Sequence, residues 1–183
     1  MDAFEQVVSE ILWREGYWVR TSFKVELTPE DKKAINRPSS PRWEIDVVAY
    51  HPGDNVLRIV ECKSFLDSLG VGAKWLDGAN ELAAGRYKLF SDANLRKVVL
   101  ARLTAQFVEA GMCLPKPKIK LCLACGKIRD SARKALAEHF GVNGWELFDE
   151  EWLRDRLRNT AKGKYENQVS AVVAKLLLRG SAE

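Results

Sequence analysis

The stretch RWEIDVVAYHPGDNVLRIVECK, residues 42–63, decides the fold. Two runs rich in apolar and β-branched residues, 42–50 and 56–63, flank the turn sequence HPGDN. Runs of this composition on either side of a Pro-Gly turn are typical of a β-hairpin. The sequence therefore predicts two adjacent antiparallel strands at this point.

Side-chain alternation along these strands brings charged residues to one end of the hairpin, because successive residues of a strand point to opposite faces. The predicted faces of the first strand are Trp43, Ile45, Val47 and Ala49 on one side and Glu44, Asp46, Val48 and Tyr50 on the other. On the second strand, Glu61 and Lys63 share a face. Two pairing registers suit the hydrophobic pattern: one places Asp46 opposite Glu61, and the other places it opposite Lys63.

In either register two carboxylates and one lysine gather, and their charges need compensation. Carboxylates that face each other across a sheet destabilise it. Lys63 is one source of compensation, and a divalent cation is another, since Mg²⁺ binds one or two carboxylates together with substrate phosphates. Such a cation would hold a phosphodiester and activate water, while Lys63 would orient the water or stabilise charge that develops on the phosphate.

The rest of the chain predicts alternating helices and strands. A helix is expected at 2–15, a strand at 17–28 and a polar connection at 29–41. Further helices are expected at 74–90, 104–111, 131–140, 149–159 and 168–178, and further strands at 98–103, 119–125 and 145–148. This alternation indicates an α/β fold with parallel strand pairing in the second half.

Asp46, fourteen further residues and then Glu61-Cys62-Lys63 resemble the PD-(D/E)XK nuclease superfamily. The resemblance covers about residues 1–125. It implies a restriction endonuclease-like αβββαβ core, with a mixed central sheet flanked by helices. Residues 126–183 would add a C-terminal β/helical extension to a single domain, 1–183. The sequence departs from the family pattern at Ile45, where a proline often stands.

By this resemblance, Asp46 and Glu61 would be ligands of Mg²⁺ or Mn²⁺, and the main-chain carbonyl of Cys62 would be a third oxygen donor. Lys63 would be the catalytic lysine. Many members of the family also use a glutamate of the first helix, and Glu5 fits that position. The alternative for Glu5 is a first-turn glutamate that interacts favourably with the helix dipole.

The implied function is a metal-dependent endonuclease that hydrolyses phosphodiester bonds, with DNA as the expected substrate. A catalytically inactive nucleic-acid-binding module on the same fold is one alternative. An unrelated α/β interaction protein whose strand pattern arose by chance is another. A second E-x-K motif, Glu30-Asp31-Lys32, lies in the polar connection, whereas Lys63 is followed by Ser64, a good helix N-cap residue.

Basic residues are clustered along the chain, although the formal net charge is only +4. Clustered lysine and arginine side chains can neutralise backbone phosphates. The residues expected to bind nucleic acid are Arg20, Lys24, Lys32, Lys33, Arg37 and Arg42. A second basic segment covers residues 114–134, and some of its side chains would be only solvated surface.

Three further expectations concern cysteines, compartment and assembly. Cys122 and Cys125 form a C-x-x-C without a second tight ligand pair, which favours buried thiols over a zinc site. The first ten residues lack a basic signal-peptide region, and no apolar run is long enough to span a membrane, so a cytoplasmic protein is expected. The apolar stripe of the last helix would either pack within the chain or form a homodimer interface; it consists of Val169, Val172, Val173, Leu176 and Leu177.

Overall fold

Five strands form one mixed sheet in the computed structural model, which describes residues 2–37, 39, 42–72, 85–164 and 167–178. The strands are β1 (Trp18–Glu26), β2 (Arg42–His51), β3 (Val56–Lys63), β4 (Lys118–Cys125) and β5 (Glu146–Phe148), and they lie side by side in that order. The steps from β1 to β3 are antiparallel, whereas β3, β4 and β5 are parallel. The predicted meander, the parallel second half and the α/β class are confirmed.

Helices cover both faces of the sheet. They are α1 (Ala3–Arg14), α2 (Pro29–Ala34), α3 (Lys88–Ser91), α4 (Ala93–Glu109), α5 (Arg133–Asn143), α6 (Glu150–Lys162) and α7 (Val169–Leu178), with a 3₁₀ turn at Asp130–Ala132. The larger apolar core includes Leu103 of α4 and Phe140 of α5. The smaller core includes Leu12 of α1 and Leu153 of α6. Two buried faces require apolar side chains on both sides of the central strands.

The strand predicted at 98–103 is wrong, because this stretch lies within the long helix α4. Its buried residues recur every fourth position, at Leu95, Val99, Leu103 and Phe107. That spacing gives one apolar face to a helix. The side chain of Asp92 accepts a hydrogen bond from the Leu95 N–H at 2.9 Å and caps the first turn.

The connection predicted at 29–41 contains a helix, α2, that the polar composition did not indicate. Thr28 and Asp31 form a reciprocal capping box, and Pro29 occupies the first turn, where its missing N–H costs nothing. The Glu30-Asp31-Lys32 motif therefore lies on a short surface helix.

The helix predicted at 74–90 falls largely on residues 73–84, which lie outside the described residues. At its end, Lys88–Ser91 is helical as α3. Ser64 does not cap a helix: residues 64–69 are not helical, with a turn at 66–67, and Phe65 has a left-handed φ of 44°.

Helix α7 presents an apolar stripe to solvent. Its small residues Ser170, Ala171 and Ala174 face inward. The residues of the stripe are exposed, at 63% for Val169, 39% for Val172, 46% for Val173, 79% for Leu176 and 70% for Leu177. Most of the stripe is therefore open to solvent within the described residues, although Val169, Val173 and Leu177 line a groove with Val7 and Leu157, and the homodimer stays a prediction. Within the same ranges, no helix is both long and apolar enough to cross a membrane.

A close backbone contact fixes the chain just after the Glu61-Cys62-Lys63 motif. The Gly126 N–H donates to the Lys63 carbonyl at 3.1 Å. A Cβ added at Gly126 would lie 2.2 Å from the Ser64 carbonyl oxygen. Only glycine fits at this position. The end of β3 is thereby held against the segment that follows β4.

We predict that Gly126→Ala destabilises the protein by about 1–3 kcal/mol, because the added methyl group must displace backbone. The measurement is the free energy of unfolding in urea. Gly141→Ala is the matched control, because a Cβ there meets no atom within 4 Å, and alanine in a helix should add about 0.5–1 kcal/mol of stability. Equal effects of the two substitutions would contradict the contact at Gly126.

Candidate active site

Strands β1 and β2 depart from regular pairing at one point, between Ser22 and Asp46. The register pairs Thr21 with Val47 and then Phe23 with Ile45, and it passes over the two residues between them. Ser22 has a left-handed φ of 49°, which is uncommon for a non-glycine residue. A residue in this conformation rotates the strand about its axis, as in a β-bulge.

The irregularity exchanges the two faces of β2. Val47 and Ala49 pack in the smaller core with α1. Trp43 and Ile45 instead pack in the larger core, on the same side as Val48. The single apolar face predicted for Trp43, Ile45, Val47 and Ala49 is therefore wrong. Strict alternation fails at Asp46, the residue where the strand turns over.

The same exchange occurs in β1. Val19 packs against the smaller core, whereas Phe23 and Val25 pack in the larger one. Because the side chains of both strands exchange faces at the same level of the sheet, the pairing resumes in the same register beyond the irregularity. The sheet therefore continues, with Ser22 and Asp46 as its only unpaired positions between the described partners of β1 and β2.

The carboxylate of Asp46 bridges β2 and β3. Pairing between these strands runs from His51–Val56 to Val47–Val60. Of the two registers that the sequence left open, this is the one that sets Asp46 opposite Glu61. Beyond the last pair, Asp46 Oδ2 accepts a hydrogen bond from the Cys62 N–H at 2.7 Å.

Glu61 and Lys63 form an ion pair beside this bridge. Lys63 Nζ lies 2.5 Å from Glu61 Oε1, and the two side chains are 23% and 16% exposed. The pair is therefore mostly removed from water. It lies at the carboxyl end of β3, next to the carboxyl end of the parallel strand β4, and in α/β sheets ligands bind at this edge.

Burial at this site disfavours ionised carboxyl groups. It raises the pKa of Glu61, and the charge of Asp46 raises it further against the opposing effect of Lys63. Burial also raises the pKa of Asp46, although the Cys62 N–H and Lys63 favour its ionised form. For Lys63, burial is outweighed by Glu61 and Asp46, so the pKa of its ammonium group is raised. The site thus holds two carboxyl groups whose ionised forms are disfavoured and one ammonium group, that of Lys63, whose charged form is favoured.

Glu5 has a structural role at the start of α1. Its side chain accepts from the Asp2 N–H at 3.1 Å, and its own N–H donates to the Asp2 side chain at 2.8 Å. This is a capping box. The pKa of Glu5 is raised by burial and also by the charge of Asp46, so its carboxyl group lies within electrostatic reach of the site. Its part in catalysis stays a prediction.

The donor set is suited to a hard cation. The described residues contain no group of three or more His, Cys, Asp or Glu side chains that could hold a metal ion. They do provide two carboxylates, and apart from the bonds to Cys62 and Lys63 neither Asp46 nor Glu61 makes a side-chain hydrogen bond to a described residue. Mg²⁺ needs only one or two carboxylates when substrate phosphates and water complete its octahedron.

Five of the six predicted nucleic-acid contacts lie toward the same end of the sheet as the site. Lys24 is exposed on β1 opposite Glu44, which is itself an exposed residue. Lys32 and Lys33 lie on α2, Arg42 pairs with Glu26 at 3.6 Å, and Arg37 lies over the Trp43 ring at 5.5 Å. At this end of the sheet, Arg42 and Arg37 are thus already in contact with Glu26 and Trp43.

Arg20 lies on the other side of the irregularity, opposite Val48. It lines a groove with Trp18 and Tyr50. Trp18 is 62% exposed, whereas Trp43 packs against the larger core. The basic segment 114–134 is also divided, because Lys118 begins β4 at the end of the sheet remote from Lys63.

The prediction that Cys122 and Cys125 are buried thiols is confirmed. Both are fully buried in β4, and all four cysteines are free. Cys122 belongs to the smaller core and Cys125 to the larger one, so they point to opposite faces of the sheet. Burial raises the pKa of Cys125 to about 12. Neither thiol is suited to metal or redox chemistry.

The sequence did not indicate Ser22 or Gly126 as important positions. Glycine directly after an apolar strand was a signal for Gly126 that could have been used. Serine carries no comparable signal for a left-handed conformation.

In comparisons with known proteins, no family model, no curated protein and no solved structure matches the chain.

We predict that Asp46→Asn raises the melting temperature at neutral pH. The folded state raises the pKa of Asp46, so the ionised carboxylate costs stability at a pH above that raised value. The gain should disappear as the pH falls toward the ordinary range of aspartate, where both states bind the proton. Thermal unfolding from pH 4 to pH 8 measures it.

Asp67→Asn is the control for this experiment, because Asp67 is an exposed carboxylate in the turn after Lys63. It should change the melting temperature little at any pH. A loss of stability in Asp46→Asn at neutral pH would show that the Asp46 charge is stabilising and would contradict the prediction.

Proposed function

We propose that this protein is a metal-dependent endonuclease with a restriction endonuclease-like core, and that it hydrolyses phosphodiester bonds in DNA. The observation that carries the proposal is the hydrogen bond from the Cys62 N–H to Asp46, made where β2 and β3 stop pairing. It sets one carboxylate beside the half-buried Glu61–Lys63 pair. The order of α1, three antiparallel strands and a parallel β4 supports the same core.

The charge balance of the site supports a divalent cation. Two carboxylates and one ammonium group leave an excess of negative charge in a place where burial already disfavours it. Asp46, Glu61 and the Cys62 carbonyl would hold Mg²⁺ or Mn²⁺, and Glu5 is close enough in electrostatic terms to assist. A bound cation supplies positive charge beside the phosphate and favours the ionisation of water.

Lys63 would act as a charged hydrogen-bond donor rather than as a general base. The pKa of its ammonium group is raised by Glu61 and Asp46, so it keeps its proton at neutral pH. An ammonium group has three donors and no acceptor. In hydrolysis, the water oxygen forms a bond to phosphorus while the bond to the leaving oxygen breaks, and negative charge grows on the phosphate oxygens. Lys63 would stabilise that charge.

We predict that Asp46→Ala and Lys63→Ala each lower the rate of plasmid cleavage in Mg²⁺ by at least about 100-fold, the usual cost of removing a charge-stabilising group. Both variants should remain folded, as judged by circular dichroism. Glu30→Ala is the matched control, because Glu30 belongs to the other E-x-K motif, on the surface helix α2. It should cleave at the native rate.

Three outcomes separate the candidate functions. Loss of cleavage in both site variants supports the nuclease. Tight DNA binding without cleavage by the native protein in either Mg²⁺ or Mn²⁺ would favour the inactive binding module. Full cleavage by Asp46→Ala or Lys63→Ala would refute the proposed site.

The helix α2 and the neighbouring end of β1 would contact the DNA backbone. Lys24 and Lys33 are exposed there, and Lys32 lies on the same helix as Lys33. Electrostatic contacts to phosphates do not depend on base sequence. Placed beside the site, they would hold a duplex with its backbone near Asp46.

We predict that Lys32→Ala and Lys33→Ala together weaken DNA binding equally for different sequences. Each lost phosphate contact should lower the slope of log affinity against log salt by about 1. The measurement is fluorescence anisotropy at several salt concentrations. Lys118→Ala is the control, because Lys118 is exposed at the remote end of the sheet, on the order of 20 Å from Lys63 at about 3.3 Å per residue. An equal effect of Lys118→Ala would contradict a localised interface.

A further inference from the structure

Ser22 is remote from Asp46 in sequence but lies at the same level of the sheet. The register of β1 and β2 passes over these two residues together. Both neighbours of Ser22, Thr21 and Phe23, are regularly paired. The irregularity is therefore confined to one residue in each strand.

The backbone of Ser22, rather than its hydroxyl group, accounts for the irregularity. Its φ of 49° lies in the left-handed region. Within the described part of the chain, Ser22 Oγ is buried and has no hydrogen-bond partner. A buried hydroxyl without a partner does not stabilise its surroundings. What the position requires is a residue that tolerates the left-handed conformation.

The exchange of faces in the two strands keeps the Asp46 side chain out of both cores. In regular alternation its two neighbours would share a face, but Ile45 packs in the larger core and Val47 packs in the smaller core on the opposite face. A side chain in regular alternation at this position would point into one of the two cores. At the reversal, Asp46 instead reaches along the sheet to the Cys62 N–H, 2.7 Å away.

We propose that Ser22 is a positioning residue. Its left-handed backbone conformation makes the side chains of β1 and β2 exchange faces together, and this directs the Asp46 carboxylate toward the Cys62 amide and the Glu61–Lys63 pair. The catalytic consequence rests on the proposed function. The structural consequence does not, because it concerns only a hydrogen bond within the chain. The two can therefore be tested separately.

Two substitutions give opposite predictions for the backbone and for the hydroxyl group. Ser22→Gly removes the hydroxyl but favours a left-handed φ. Ser22→Thr keeps the hydroxyl, but its branched Cβ disfavours that φ. If the backbone conformation matters, glycine preserves the site and threonine disturbs it. If the hydroxyl matters, the reverse holds. Thr21→Val is the control in a regularly paired neighbour.

The first measurement is hydrogen exchange of the Cys62 amide by nuclear magnetic resonance, with Asp46→Ala as the reference for a lost hydrogen bond. Ser22→Gly and Thr21→Val should keep the native protection. Ser22→Thr should lower it about tenfold, the order expected for a β-branched residue forced into the left-handed region. Unchanged protection in Ser22→Thr, or lost protection in Ser22→Gly, would overturn the proposal. If Ser22→Thr folds poorly, the Ser22→Gly result decides alone.

The second measurement is single-turnover cleavage of DNA by the same variants. Ser22→Thr should lower the cleavage rate without changing DNA affinity, because it displaces a catalytic carboxylate and removes no phosphate contact. Ser22→Gly should cleave as the native protein does. If the native protein does not cleave DNA, the proposed function fails, and the exchange of the Cys62 amide still decides whether Ser22 positions Asp46. Equal cleavage by Ser22→Thr and the native protein would count against the proposal.

Discussion

The hydrogen bond between the Cys62 amide and the Asp46 carboxylate is the interaction on which the site depends. It is made at the place where the backbone pairing of β2 and β3 has ended, so a side chain takes over a bond that a main-chain carbonyl would make in a regular ladder. Because a backbone amide must find an acceptor when it is removed from water, Asp46 satisfies a structural need with the same carboxylate that we propose as a metal ligand. Because Asp46 Oδ2 is held by this hydrogen bond, the position of Oδ1 is also restricted.

Stability and chemistry oppose each other at this place. Burial makes the ionised forms of Asp46 and Glu61 unfavourable, and only one ammonium group, that of Lys63, compensates within the ion pair. A fold under selection for stability alone would replace such carboxylates, since buried charges are costly unless they are fully paired. Two such carboxylates lie at the carboxyl edge of a parallel pair of strands, where the chain is held by Gly126, and this is the basis of the proposal that a cation and an anionic substrate bind here.

Around the site, the buried strands and the exposed basic residues occupy different places. Strands β3 and β4 carry the motif between two apolar cores, and the close approach of Gly126 to Ser64 fixes the chain where it leaves β3. The basic residues of α2 and β1 lie at the surface beside this support. In the proposed nuclease, a rigid scaffold with positively charged groups at its rim would hold the catalytic groups accurately while the contacts to phosphate remained adaptable.

The sequence alone determined the hairpin, the three-strand meander, the parallel second half and the candidate residues Asp46, Glu61 and Lys63, because these follow from composition, turn residues and side-chain period. Residues 98–103 were wrongly assigned to a strand, because a short apolar run within a helix resembles a strand. The helix is evident only when the four-residue spacing of its buried residues is followed beyond this run in both directions. Only the tertiary structure decided the register that sets Asp46 opposite Glu61 and the reversal of β1 and β2 at Ser22 and Asp46. The physical reason is that side-chain alternation is a local rule, whereas the exchange of faces depends on two strands that each pack against both cores. In addition, the sequence does not show that a serine adopts the left-handed conformation.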